Sequence, residues 1–211
     1  MRNRSENQIK LVIIRHGATT SNKEHRYLGK TDEGLSEEGR NVLQEAKNSY
    51  PKLDYIFASP MKRCLETAQI LYPDKDIIEI AEWEEMDFGA FEGKNYKELQ
   101  ENEYYQKWID SNGILPFPNG ESRETFVKRC KKGFEKMQLE LMKLLSSHTC
   151  ITIGVIVHGG TIMALLSSFY GGKYFDYQVS NGQGYLCICK ECQGSFKITE
   201  IQTLEVRQTV R

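Results

Sequence analysis

The sequence predicts a three-layer α/β/α sandwich around a mostly parallel central sheet. Short apolar runs alternate with helical patterns along its 211 residues. Several of those runs are nearly continuous Val and Ile, as strands covered on both faces require. No internal repeat, low-complexity segment or shift of composition marks a second domain, so one domain over residues 1–211 is expected.

The elements follow in order. "KLVIIRH" (10–16) is the first strand, and "LSEEGRNVLQEAKNSY" (35–50) is a helix with Ser36 placed to cap it and Glu37 and Glu38 in its first turn. "LDYIFASP" (53–60) gives the second strand, "MKRCLETAQILY" (61–72) the second helix and "KDIIEI" (75–80) the third strand. Residues 94–120 break the rhythm and read as one or two short helices with a Pro/Gly loop, inserted between sheet units. Residues 121–147 form a long amphipathic helix in which Phe126, Cys130, Phe134, Met137 and Leu141 recur at helical spacing. "CITIGVIVHGG" (150–160) is the fourth strand and "TIMALLSSFY" (161–170) the helix after it. "GYLCICKE" (184–191) and "SFKITEIQTL" (195–204) close the chain as two strands of a hairpin.

Composition narrows the function. A formal charge of -1 offers no basic footprint for nucleic acid and no polybasic membrane anchor. The polar "MRNRSENQIK" lacks the apolar core of a signal peptide, and no apolar run reaches spanning length, so a cytoplasmic protein is expected. Its six cysteines then read as free thiols. "CICKEC" suggests metal ligands, but a zinc site takes about four and no second Cys or His pair accompanies it. Cys187 and Cys189 instead share one face of a strand, with Cys192 in the turn beyond.

Ligands of open parallel sheets bind beyond the carboxyl ends of the strands. The first strand ends in Arg15-His16-Gly17, and the second in Ser59-Pro60, with Arg63 one turn into the next helix. The third leads to Glu85 in "EWEEMDFGAFEG", and the fourth ends in His158. Each residue alone has a structural explanation, as a rim histidine, a solvated arginine or a surface carboxylate. Placed together at one sheet edge, they suit phosphoryl chemistry. Guanidinium forks match phosphate oxygens, which makes Arg15 and Arg63 clamps. Cationic neighbours keep His16 neutral, as a nucleophile must be. His158 is placed to stabilise the transferring group, and Glu85 to protonate the leaving oxygen.

The motifs extend this reading. "RHGATTSN" resembles the RHGxTxxN signature of the histidine phosphatase superfamily, also called phosphoglycerate-mutase-like. "HRYLGKTDEGLSEEG", "SPMKRCLETA", "EEMDFGAFEG", "PNGES" and "VIVHGGTIMALL" are similar to the family's further segments, in the family's order. The resemblance implies a phosphohistidine at His16, a pocket lined by Arg15, Arg63 and His158, and phosphate contact from Asn22 and Gly159. It also implies proton donation by Glu85, a position near the pocket for Glu121, and no metal or other cofactor. Cys64 stands where the family has alanine, Ala18 where it often has Glu or Gln, and Phe91 where many members have Trp. His25 and His148 have no catalytic counterpart; His25 lies in the loop after Asn22, on the surface or against substrate.

Within the family, mutases carry a longer segment between the acid-bearing loop and P-x-G-E-S, so hydrolysis of a small phosphorylated metabolite is favoured here over phosphoglycerate mutation. Compact length and the "DFGAFEG" and "VHGGTIMALL" stretches look most like the small phosphatases that include α-ribazole-phosphate phosphatase. A non-catalytic phospho-ligand or protein-binding member would have a broken pocket, whereas all five catalytic positions are filled. Tyr96, Tyr104, Tyr105, Trp108 and Phe117 either bury the underside of the insertion or wall the substrate. The late strands offer an edge for self-association, but nothing in their composition fixes an oligomeric state.

Overall fold

The computed structural model describes residues 8–144, 150–192 and 195–206. His148, the last three residues of the predicted long helix and both chain ends lie outside them. Six strands form one sheet: β1 (Gln8–Arg15), β2 (Tyr55–Ala58), β3 (Ile77–Glu79), β4 (Cys150–Val157), β5 (Gly184–Cys192) and β6 (Ser195–Thr203). Their order is β3-β2-β4-β1-β5-β6. The first four run parallel, while β5 pairs antiparallel with both β1 and β6.

Helices cover both faces, which is why the central strands are apolar on both sides. Val12 and Ile14 of β1 pack with Leu43 and Ala46 of α2 (Glu37–Ala46) and with Cys64, Ala68 and Leu71 of α3 (Lys62–Leu71). Leu11 and Ile13 face the other way, onto Phe126, Phe134 and Met137 of α6 (Arg123–Leu144) and Ile162 and Leu165 of α7 (Gly159–Phe169). As predicted, Ser36 caps α2: its hydroxyl accepts from the Gly39 N–H at 3.0 Å, a bond of a kind worth about 1 kcal/mol. Three short helices complete the count among the described residues: α1 (Thr20–Lys23), and α4 (Tyr96–Leu99) and α5 (Glu103–Asp110) within the insertion.

Three local expectations change. The third strand shortens to Ile77–Glu79. Cys192 belongs to β5 and pairs with Ser195 rather than lying in the turn, because the hairpin ladder runs to its end. Helix α7 begins at Gly159, two residues before the predicted start. Glycine has poor helix propensity, but the chain must turn directly from β4 onto the sheet face, and His158 is its N-cap residue. Cys187 and Cys189 do share a face, both buried in the core. Cys64, Cys130, Cys150, Cys187 and Cys189 are all free thiols.

The topology also sets the site. The chain leaving β1 turns onto the α2/α3 face, whereas the chain leaving β4 turns onto the α6/α7 face. β1 and β4 are neighbours, with Arg15 opposite Val157. Adjacent strands whose connections leave to opposite faces open a crevice at their carboxyl ends, and His16 and His158 are the next residues in each chain. Gly184 brings β5 alongside: a Cβ there would sit 1.8 Å from the Ile13 carbonyl oxygen, so only glycine permits that approach.

Candidate active site

His16 is 3% exposed, and its Nδ1 lies 2.7 Å from the Gly17 carbonyl oxygen. A carbonyl can only accept, so Nδ1 carries the proton and Nε2 holds the lone pair. Burial, then Arg63, then Arg15 hold the ring's pKa well below its usual value. The imidazole is therefore neutral and already in the tautomer that a nucleophilic Nε2 needs.

His158 is fully buried, its ring edge-on to His16 with centroids 5.2 Å apart. Its Nδ1 accepts from Arg63 Nε at 3.2 Å, so the neutral ring's proton is on Nε2, which donates to Ser59 Oγ at 2.8 Å. Burial is the main cause that pushes its pKa far down, followed by Arg63 and His16. Cys64 Sγ lies 3.6 Å from the same Nε2, and burial pushes that thiol's pKa up. It is an uncharged packing neighbour of the ring.

Arg63 is fully buried and held on three sides, donating to the carbonyls of Thr31 and Gly29 as well as to His158. Arg15 donates to the Val179 carbonyl at 2.7 Å, and its Nε is buried without a partner. An unpaired buried donor costs free energy unless an acceptor arrives, which suits an anion site. Burial lowers the pKa of Arg15, which Glu85 partly counters. Asn22 Oδ1 accepts from Thr19 N and from Asn181 Nδ2. Asn22, Arg15 and Asn181 line a polar cleft of about 400 Å³ that also reaches His25. His25 adopts φ 54, a left-handed conformation uncommon for histidine.

Glu85 sits over the start of α7. Its Oε1 accepts from the Met86 N–H at 2.9 Å, and a Cβ on Gly160 would lie 2.6 Å from that oxygen. Burial raises the carboxyl's pKa, against the pull of the Met86 N–H, Arg63 and Arg15. Such a group retains its proton to a higher pH than an ordinary glutamate and suits a general acid.

Arg15, Glu85, Gly159 and Gly160 line one side of a cavity of about 500 Å³. Trp108 and Phe117 from the insertion line it too, while Tyr105 stacks on Trp108 beneath (6.0 Å, 18°). Tyr96 and Tyr104 point to solvent at 55% and 64% exposure. The insertion's aromatics thus divide between buried underside, cavity wall and surface.

Glu121 does not line this cavity. Both its oxygens are taken by Arg129, at 3.2 and 2.8 Å, because the same guanidinium also gathers the carbonyls of Glu82, Glu84 and Glu85. Glu121 therefore bears on the site through Arg129 and the loop that carries Glu85. Arg129→Lys keeps the charge but loses the fork. It is expected to lower kcat about tenfold with little change in KM, checked by steady-state kinetics.

Sequence reasoning missed Ser59's contact with His158, Arg129, Arg123 and the whole segment from Tyr174 to Gln183. That segment clamps the end of β1: Asn181 Nδ2 donates to the His16 carbonyl at 3.0 Å and Gly182 N to the Arg15 carbonyl at 3.0 Å. Antiparallel pairing of β5 with β1 brings it there. The polar, glycine-containing "VSNGQG" before a strand was the available signal. Among the described residues no group of three or more His, Cys, Asp or Glu is placed to hold a metal ion, and no helix is long and apolar enough to cross a membrane.

Comparison with known proteins bears on the family and the fold. Phosphoserine phosphatase 1 of Hydrogenobacter thermophilus is 27% identical over 184 residues, covering 82% of this chain and 83% of its own. A crystal structure of a phosphoserine phosphatase mutant from Entamoeba histolytica, in complex with phosphoserine, superimposes with a TM-score of 0.70. It is 26% identical and covers 92% of this chain and 96% of its own. The α-ribazole phosphatase of Shigella flexneri shares the fold, with a TM-score of 0.73 at 22% identity over 90% and 94% of the two chains. The chain spans only 43% of the length of other relatives it matches, such as a bifunctional protein of Mycobacterium tuberculosis that is 27% identical over 74% of this chain. The model of the histidine phosphatase superfamily (branch 1) matches residues 11–200, and with its two strand-end histidines facing each other beside Arg15 and the buried Arg63, the chain belongs to that superfamily.

Proposed function

We propose that this chain is a single catalytic unit that hydrolyses a small phosphorylated metabolite in the cytoplasm, through a phosphohistidine on His16 and without a metal ion. The observation that carries this is the Nδ1–H donation from His16 to the Gly17 carbonyl, which leaves a buried, neutral Nε2 beside two arginines.

Nε2 attacks phosphorus, and the bond from phosphorus to the ester oxygen breaks as that oxygen takes the Glu85 proton. Water then attacks the phosphohistidine and returns a proton to the Glu85 carboxylate. The N–P bond breaks, and inorganic phosphate leaves. Arg15, Asn22 and the Gly159 end of α7 bind phosphoryl oxygens. Neutral His158, held between Arg63 Nε and Ser59 Oγ, keeps the Arg63 guanidinium beside His16, where its positive charge faces the charge that develops on the transferring group.

The candidate substrates are α-ribazole 5′-phosphate, after the small phosphatases the sequence resembles, and phosphoserine and 3-phosphoglycerate, which the Entamoeba structures hold. Phosphate release from this panel is expected to persist in EDTA. Release that stops in EDTA and returns with Mg²⁺ would overturn metal-free chemistry. Interconversion of phosphoglycerates with little release would make the protein a mutase.

A further inference from the structure

An asparagine amide has a donor end and an acceptor end of nearly the same shape. It binds an anion only when its neighbours hold the NH2 end toward that anion. Asn22 stands at the phosphoryl site, in the cleft it shares with Arg15, Ser180 and Asn181. Turned the other way round, its Oδ1 would face phosphate and repel it. Whatever fixes that orientation is therefore part of phosphate recognition.

The hydrogen bonds that fix it begin at the backbone. Asn181 Nδ2 lies 3.0 Å from the His16 carbonyl oxygen and 3.4 Å from that of Gly17. Carbonyls only accept, so the NH2 end of Asn181 must be the one that faces them. The same NH2 group donates to Asn22 Oδ1 at 3.0 Å. Within the capping box of α1, the Thr19 N–H donates to that oxygen too, at 3.2 Å. Two donors thus occupy Oδ1, and Asn22 Nδ2 is left for phosphoryl oxygens, where a bond to an anion is strong. The backbone around Asn181 is held without its side chain. The Gly182 N–H donates to the Arg15 carbonyl at 3.0 Å, and the Tyr50 hydroxyl donates to the Gly182 carbonyl at 2.8 Å.

We propose that Asn181 is a positioning residue for phosphate recognition: anchored on the carbonyls of His16 and Gly17, it turns the Asn22 amide so that Nδ2 meets the phosphoryl group. The proposal rests on the phosphatase reading, which places Asn22 at that group, and adds the residue that aims it. The anion-binding amide is thereby registered to the backbone of the nucleophile itself. Its effect on phosphate passes through Asn22, which a purely structural role for the segment would not require.

The test measures binding of inorganic phosphate by calorimetry at neutral pH, in wild type, Asn181→Leu, Asn22→Ala and the double variant. Leucine keeps the branched shape and donates nothing. Asn22→Ala is expected to raise Kd about tenfold, the scale of one hydrogen bond to an anion. Asn181→Leu is expected to raise it at least about threefold, since Thr19 still holds one bond to Oδ1. The double variant should bind no more weakly than Asn22→Ala alone, as residues acting through one contact do. Independent effects that multiply to about thirtyfold in the double variant would overturn the proposal. So would an Asn181→Leu protein that binds phosphate as tightly as wild type. Should leucine prevent folding, Asn181→Ser removes the amide with a small polar side chain and gives the same comparison. No measurable phosphate binding by wild type would overturn the phosphoryl site and this proposal with it. Coupled binding without turnover of an aryl phosphate would overturn the phosphatase reading and leave the proposal standing.

Discussion

His16→Ala is expected to reduce phosphate release from every substrate by roughly 10⁴-fold or more, the scale seen when a nucleophile is removed from a group that acts as a unit. The fold should survive the change. The ring's hydrogen bond is to the neighbouring Gly17 carbonyl, and Gly17 remains anchored by its N–H to Thr67 Oγ1 at 2.9 Å. Thr67 Oγ1 in turn donates to the Arg63 carbonyl at 2.6 Å, so the loop and the arginine helix stay registered. Loss of turnover with an unchanged melting curve would therefore report chemistry rather than collapse. The variant is also expected to gain stability below about pH 6.5, the ordinary histidine value. The wild-type ring's pKa is depressed on folding, so the unfolded chain binds a proton there that the folded chain does not, and stability falls as the pH drops through that window. Removing the ring removes that contribution, while His158 keeps its own.

Glu85→Gln is expected to lower kcat by about 10²- to 10⁴-fold on an alkyl phosphate, whose leaving oxygen needs a proton. An aryl phosphate, which leaves as a stabilised anion, should lose far less. Wild-type activity on the alkyl ester should decline as the pH rises through the raised pKa of this carboxyl, and that alkaline limb should vanish in the variant. Stability moves in the opposite sense. The folded protein holds the Glu85 proton more tightly than the unfolded chain does, so it loses stability as the pH rises from about 4.5 through the folded pKa. Glutamine carries no charge there and still accepts from the Met86 N–H, so its melting temperature at pH 8 should exceed that of wild type. A higher melting temperature with a lower rate is the trade expected of a functional carboxyl held against its solvation preference.

Much of this was legible in the sequence because parallel strands covered on both faces leave an apolar signature, and because charges appear where that signature stops. β1 and β4 read from their Val/Ile runs, and Arg15, His16 and His158 mark their ends. That the two strands are neighbours was not written in either run; it depends on crossovers that leave to opposite faces of the sheet. The clamp formed by Asn181 and Gly182 was invisible for a related reason, since it exists only because β5 runs antiparallel beside β1. Glu121 was recognisable as a motif position, but not as the partner of Arg129, which lies eight residues along on the face of α6 that meets the Glu85 loop. Cavity walls built from Phe88, Trp108, Tyr174 and Phe175 come from three separate segments, and no local pattern joins them.

The central claim is covalent transfer to His16. Wild-type protein mixed with a good substrate, quenched in alkali during turnover and digested, is expected to carry one phosphoryl group on the peptide that contains His16, with fragmentation placing it on that imidazole. Steady turnover with no phosphoryl group on the protein, or with the group on another residue, would contradict the account.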